Sequence, residues 1–355
     1  MTLRASKPAF NVREKLTELE RPIGIKGNEV LRTETVEDAF DVLGCGRKNF
    51  IINGAMEIWQ RGTSFSNISN GDYTADRFFN QKTGNTNVER VSITDTEMLK
   101  YGFRYAMKQT AVAASQIKPL QIIEKHPLFV AGNKFTFSFW ARSNSPVDYQ
   151  FSHYDGSSVF NSKTVSIETE WKQYVIPLTL TTTPSSYLRI HLSDTRNAGD
   201  WLETTGWQYE QGSVATPFEH RFHGEELALC QRYYQVWKAS DPDFNGHLAS
   251  TNSHGSGGNA YSTLLGNGSV HDADDCNIST SLPVEMRDAP TTTLTDARVI
   301  SGSAIYDNAT IIQINNSSRK RFSAFIDNEG GMTSKDPVSL VLKGSNALLA
   351  LDAEL

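Results

Sequence analysis

Few residue clusters in this chain have the types and spacing for covalent chemistry. His254, Gly255, Ser256, Gly257 and Gly258 set a serine among glycines, but no GxSxG is present. No strand–turn–helix pattern surrounds Ser256, so the stretch reads as a loop rather than a nucleophile elbow. His271, Asp272, Asp274 and Cys276 offer ligands to a metal, yet their spacing fits no structural zinc pattern, and a solvated acidic loop is the simpler reading. Carboxylates are plentiful, and a glycosidase pair has no signature short enough to be read from sequence. The chemistry with better support is binding. A sugar ring has an apolar C–H face and a rim of hydroxyls. Aromatic rings suit the face, and Asn, Gln, Asp, Arg or His suit the rim.

Three segments carry that mixture on one side of an alternating pattern. In KFTFSFWAR, Trp140 stands opposite the row Phe135, Phe137 and Phe139. In VDYQFSHY, Gln150 and Tyr154 stand opposite Tyr149 and Phe151, and in YLRIHL, Tyr187, Arg189 and His191 stand opposite Leu188, Ile190 and Leu192. If these strands are neighbours, the six residues form a glycan-binding platform with an aromatic centre and a charged rim. The competing reading packs Trp140 against another segment or a second subunit, since buried interfaces use Trp, Tyr and Arg for the same reasons.

The elements that must position these residues are strands. Period-two alternation recurs from residue 49 to about 222, in KQYVIPLTL (Tyr174, Ile176, Leu178) and FRYAMK (Phe103, Tyr105, Met107) as well. Short strands divided by Gly, Asn, Ser and Thr turns predict a β-sandwich or jelly roll. A linking helix is expected over 223–240. Leu227, Cys230, Tyr234 and Trp237 would share its stripe, with Glu225 and Glu226 in the first turn. Residues 241–355 read as a C-terminal β domain. From 238 onwards there is no Trp, and the other aromatics are Phe244, Tyr261, Tyr306, Phe322 and Phe325. So thin an apolar complement suggests that oligomeric partners complete its core. No repeat of 20–50 residues is evident, which argues against a β-helix or propeller.

Residues 1–48 differ again, with nine Lys/Arg and eight Asp/Glu. Val12, Leu16 and Leu19 recur at helical spacing, and Thr35 with Asp38 resembles a capping box ahead of Phe40 and Leu43. This is either an arm that docks on sister chains or a larger particle, or a solvated helical extension.

Two stretches resemble phage tail fibre and tail attachment proteins: GRKNFIINGAMEIWQRGTSF (46–65) with YTADRFF (73–79), and GWQYEQGSVATPFEHRFHGEELALCQRYYQ (206–235). The leader PAFNVREKLTELERPIGIKGNEVLRTETVEDAF is similar to an N-terminal segment of marine podophage tail proteins. The resemblance implies a jelly-roll module akin to carbohydrate-binding modules, closed by pairing of its first and last strands, with Trp207 and Tyr209 on the last. Ala215 to Phe218 would seal its base. It further implies a virion protein, commonly a homotrimer, that contacts other tail proteins and a host polysaccharide or lipopolysaccharide. A structural calcium ion near the first strand is a further implication, for which Asn53, Glu57, Asp72 and Asp76 offer oxygen ligands.

Bulk properties fit this picture. The 355 residues carry a net charge of -6, far from the basic footprint of a nucleic-acid binder. No stretch reaches the roughly 18 apolar residues of a membrane span, and MTLRASKPAFNVREK lacks a signal-peptide core. Cys45, Cys230 and Cys276 are too few and too scattered for a disulfide framework, which fits synthesis in a reducing compartment. The expectation is therefore a mainly β, non-enzymatic attachment protein: arm 1–48, jelly roll 49–222, linking helix 223–240, C-terminal β domain 241–355. A tail adaptor making only protein contacts and a polysaccharide depolymerase are the alternatives.

Overall fold

The computed structural model describes residues 48–81, 85–238, 264–271, 275–301, 304–314, 319–327, 332, 337–342 and 347–354. The docking residues expected in the arm (Val12, Leu16, Leu19, Phe40 and Leu43) and the 254–258 loop lie outside them. From residue 49 onwards the chain is one compact unit, mainly β.

The first module is a two-layer sandwich. One six-stranded sheet runs β1 (Ser64–Phe65), β3 (Thr86–Ser92), β4 (Tyr105–Ala111), β12 (Trp201–Gln211), β7 (Lys134–Ser143) and β10 (Lys172–Thr179). The facing sheet runs β2 (Phe78–Asn80), β6 (Pro119–Glu124), β11 (Tyr187–Arg196), β8 (Val147–Tyr154) and β9 (Val159–Ile167), with β5 (Ser115–Ile117) also on β11. The alternating residues read from the sequence fill the space between: Phe135, Phe137 and Phe139 meet Phe151, Ile190, Trp207 and Tyr209 in one buried cluster. Their rings stack or meet edge to face, with Phe135 to Tyr209 at 5.0 Å and Phe137 to Trp207 at 5.1 Å. Such pairs add about 0.5–1.5 kcal/mol each beyond their burial. Phe103 departs from its expected row. β4 begins only at Tyr105, and Phe103 joins an outer cluster with Met98, Trp140 and Phe218.

First and last segments do close the module. Phe50 N donates to Tyr209 O at 2.9 Å and Trp207 N to Gly54 O at 3.0 Å. The side chain of Asn49 extends the ladder, donating to Trp207 O and accepting from Tyr209 N, both at 3.0 Å. A Cβ on Gly54 would come 2.2 Å from Trp207 O, so only glycine permits this approach. Helix α1 (Thr96–Lys100) is capped by Asp95, which accepts from Glu97 N and Met98 N.

The expected linking helix is half helix and half strand. Helix α2 (His223–Gln231) stops at Gln231, and β13 (Tyr234–Lys238) follows. Tyr234 and Trp237 therefore do not continue the stripe of Leu227 and Cys230; they belong to two different buried clusters, on opposite faces of a strand. The run YYQVW is rich in aromatic and β-branched residues, and β21 (Leu348–Asp352) supplies a ladder from Tyr234↔Asp352 to Lys238↔Leu348.

β13, β21 and β16 (Thr291–Thr295) form a three-stranded sheet beside a closed barrel. The barrel runs β14 (Leu264–Val270), β15 (Asp275–Ser281), β19 (Arg321–Asp327), β18 (Ala304–Ile314), β17 (Ala297–Ser301) and β20 (Pro337–Leu342). This corrects the expectation that a second chain completes the core. Ile278, Val299, Phe322, Ala324, Ile326, Leu340 and Leu342 are buried within one protomer, together with Trp237, Leu349 and Leu351. A six-stranded barrel has a narrow interior that small aliphatic side chains fill, so few aromatics are needed.

Candidate functional site

The outward face of the second sheet carries the site. Strand register sets it: Arg189 lies opposite Tyr154 on β8, and Tyr154 opposite Val159 on β9. Since Leu188, Ile190 and Leu192 point into the core, Tyr187, Arg189 and His191 must point away from it. Gln81 follows β2 and Lys118 precedes β6, and the pairing Asn80↔Pro119 brings the two together. Gln81, Lys118, Tyr154, Val159, Tyr187, Arg189 and His191 line a depression of about 350 Å³. This lies within the range of small-ligand pockets, roughly 300–1,000 Å³.

Arg189 is the centre. Its guanidinium carbon lies 4.9 Å from the ring centre of Tyr154, 5.8 Å from Phe79 and 5.9 Å from Tyr187. Nη1 donates to Gln81 Oε1 at 3.1 Å. The hydroxyl of Tyr154 donates to Gly156 O at 2.8 Å, which fixes that ring. Arg189 Nε and His191 Nδ1 are buried without a hydrogen-bond partner among the described residues. His191 is 4% exposed; burial first, and then the cations of Lys118 and Arg189, push it down to about 3. Burial and Arg189 likewise lower Lys118. The pocket is thus aromatic and cationic, and among the described residues no Asp or Glu lines it.

Four of the six expected glycan residues (Tyr154, Tyr187, Arg189 and His191) meet here. Gln150 shares their face but pairs with Ser193, four residues along β8 from Tyr154, about 13 Å away. Trp140 is not part of the platform. β7 and β8 lie in different sheets, so Trp140 sits on the opposite outer face of the sandwich. There it packs on Tyr101 at 4.9 Å and on Phe103 at 6.4 Å. Gln81, Lys118 and Val159 join the pocket without a sequence signal: Gln81 and Lys118 lie in connections, and Val159 enters through the β8–β9 pairing.

Of the four expected calcium ligands, Asn53 and Asp76 meet, but as donor and acceptor of a hydrogen bond rather than as two oxygens facing one ion. Asn53 is buried, with its amide donating to Ile58 O and Asp76 O and its Oδ1 accepting from Ile58 N. Glu57 faces Arg104, and Asp72 accepts from Ser69 N in an exposed turn. Asp76 accepts from the backbone and side chain of Gln60. Among the described residues no group of three or more His, Cys, Asp or Glu is placed to hold a metal. Cys230 and Cys276 are buried free thiols, and Asp272 and Asp274 lie outside the described residues.

One cluster unites residues that the sequence leaves far apart. Arg61 and Arg77 of the sandwich reach Asp352 at the end of β21 and Glu354 just beyond it: Arg61 to Asp352 at 2.9 Å and to Glu354 at 3.4 Å, with Arg77 also paired to Glu354. Arg61 lies 3.6 Å over Tyr234, and Ala353 N donates to Tyr233 O at 2.8 Å. Burial, first, raises the Glu354 carboxyl against the lowering effect of both arginines.

No protein-family model matches the chain, and no curated protein matches it either. Solved structures with a similar arrangement include a family 61 carbohydrate-binding module in complex with beta-1,4-galactotriose (16% identity, 47% of this chain and 100% of that one, TM-score 0.32). The xylan-binding domain from Paenibacillus barcinonensis is 12% identical over 48% of this chain and 99% of its own, with a TM-score of 0.30. The enzymatically active domain of bacteriophage CBA120 tailspike protein 4 is 13% identical over 41% of this chain, with a TM-score of 0.32; the match spans 21% of that domain.

Proposed function

We propose that this chain is a non-catalytic attachment protein of a phage tail, and that its first β module binds a host-surface glycan through the pocket around Arg189. The observation that supports glycan binding is the pocket's make-up. Tyr154 and Tyr187 present rings to an open face, while Gln81, Lys118, Arg189 and His191 present polar groups around them. Stacking rings with a polar rim suit a sugar. The absence of a lining carboxylate favours binding over a two-carboxylate hydrolysis at this pocket. Placement on a phage tail rests on the motifs at 46–65, 73–79 and 206–235. In that setting residues 1–48 dock on the tail, and assembly into a trimer raises avidity by making later contacts intramolecular.

The test is binding of the purified full-length protein to intact host cells and to glycan extracted from them. Saturable binding that falls at least tenfold in Tyr187→Ala, with an unchanged melting temperature, is the expected result. A folded protein that binds no glycan makes the chain a structural adaptor, and release of reducing ends makes it a depolymerase. Either outcome overturns the proposal.

A further inference from the structure

The charge of the pocket is more specific than its shape. Lys118 and Arg189 converge on it beside a neutral His191, and none of the seven lining residues is acidic. The carboxylates in neighbouring register positions are held elsewhere. Glu124, opposite Tyr187, accepts from Arg232 at 3.1 Å and from the Tyr233 hydroxyl at 2.8 Å. Asp155 accepts from Ser157 N and Ser158 N in its own turn, and Asp194 pairs with Arg196. Arg189 is therefore a cation held among three rings, with one hydrogen bond to a neutral amide and a buried Nε that has no hydrogen-bond partner among the described residues. The buried His191 adds an unpartnered Nδ1 beside it. A chain of net charge -6 has here concentrated positive charge at one partly desolvated spot. Without an anion, Lys118 and Arg189 only repel one another.

We infer that the pocket selects an acidic sugar, whose carboxylate or ester-linked sulfate or phosphate sits against Arg189 and Lys118 while its ring lies on Tyr187. Arg189 is the recognising group, because a planar guanidinium already oriented by ring contacts presents its N–H edge to two oxygens of one anionic group. Lys118 contributes charge without fixed geometry. The inference rests on the glycan-binding reading and narrows it to anionic glycans.

The experiment measures affinity of the full-length protein for matched oligosaccharide sets that share a backbone and differ only in substituent: hexuronate, sulfate ester, phosphate ester, or the neutral methyl ester and free alcohol. An acidic arm at least tenfold tighter than its neutral partner is expected, with the preference removed by Arg189→Gln, reduced by Lys118→Met and only partly kept by Arg189→Lys, which retains the charge without the planar edge. The arm that binds identifies the anion. Equal affinity for acidic and neutral partners overturns the inference and leaves the glycan reading standing. Binding in no arm overturns both. An acid preference that survives both Arg189→Gln and Lys118→Met in folded protein overturns the assignment to this pocket.

Discussion

The guanidinium of Arg77 lies 3.4 Å from the ring centre of Tyr233, so a buried cation of the first β module is clamped by the residue that opens the second. Arg77 also donates to Ile122 O at 2.6 Å and pairs with Glu354. Removing one partner of such a pair strands the other in a dry site, at a cost of about 3–5 kcal/mol. Arg77→Met is expected to lose that much in urea denaturation, and the double variant with Glu354→Gln less than the sum of the two singles. Additive losses would show that the two side chains do not depend on each other.

Trp140 and Tyr187 separate stability from binding. Trp140 is packed by Tyr101 and Phe103 on the face away from the pocket. Trp140→Ala should lower stability by roughly 2 kcal/mol, less than full burial would give, and leave glycan affinity within twofold. Tyr187→Ala should do the reverse. Melting curves and binding isotherms on the same preparations check both.

Acid should destabilise the first module through His153. Its ring is fully buried among Phe151, Phe160 and Tyr209, with the side chain of Asn161 as its polar neighbour. Burial pushes it down to about 3. Above about pH 6.5 both folded and unfolded states hold it neutral. Below that the unfolded chain takes a proton that the folded one refuses, so stability falls by about 1.4 kcal/mol per pH unit as pH drops towards the folded value. Glu354 and Asp76, raised by burial, act in the opposite sense. The difference between wild type and His153→Phe isolates the histidine: the variant's stability should decline less steeply between pH 6.5 and 5. Parallel pH profiles would rule out a neutral buried His153.

Closure of the sandwich should hinge on Gly54. An added Cβ meets a backbone carbonyl that cannot rotate away. Gly54→Ala is expected to cost about 1–3 kcal/mol and to speed amide exchange at Trp207 N, which Gly54 O now protects. Unchanged exchange there would show that the segment tolerates separation.

Much of this architecture was legible in the sequence because it is local. Alternation in KFTFSFWAR and YLRIHL fixes which side chains enter the core, and hence that Tyr187, Arg189 and His191 leave it. Alternation does not say which sheet a strand joins. β7 and β8 are separated by only three residues, yet they cross from one layer to the other, and this parts Trp140 from Tyr154. The clamp around Arg61 and Arg77 was hidden for a related reason: its partners are some 290 residues away, at Asp352 and Glu354. In hindsight the motifs YTADRFF and ELALCQRYY hold its other parts, Asp76, Arg77, Tyr233 and Tyr234. The β13 strand was obscured because a spacing of three to four residues over YYQVW also suits a helix; only the ladder with β21 decides it.

β13 and β21 pair along their whole length, so the chain enters and leaves the barrel side by side and is anchored to the sandwich at both points. The barrel is therefore spliced into a fixed socket. Pulling on either end of the inserted segment loads the same set of contacts, Arg61 and Arg77 to Asp352 and Glu354, so the two connections act as one joint rather than two.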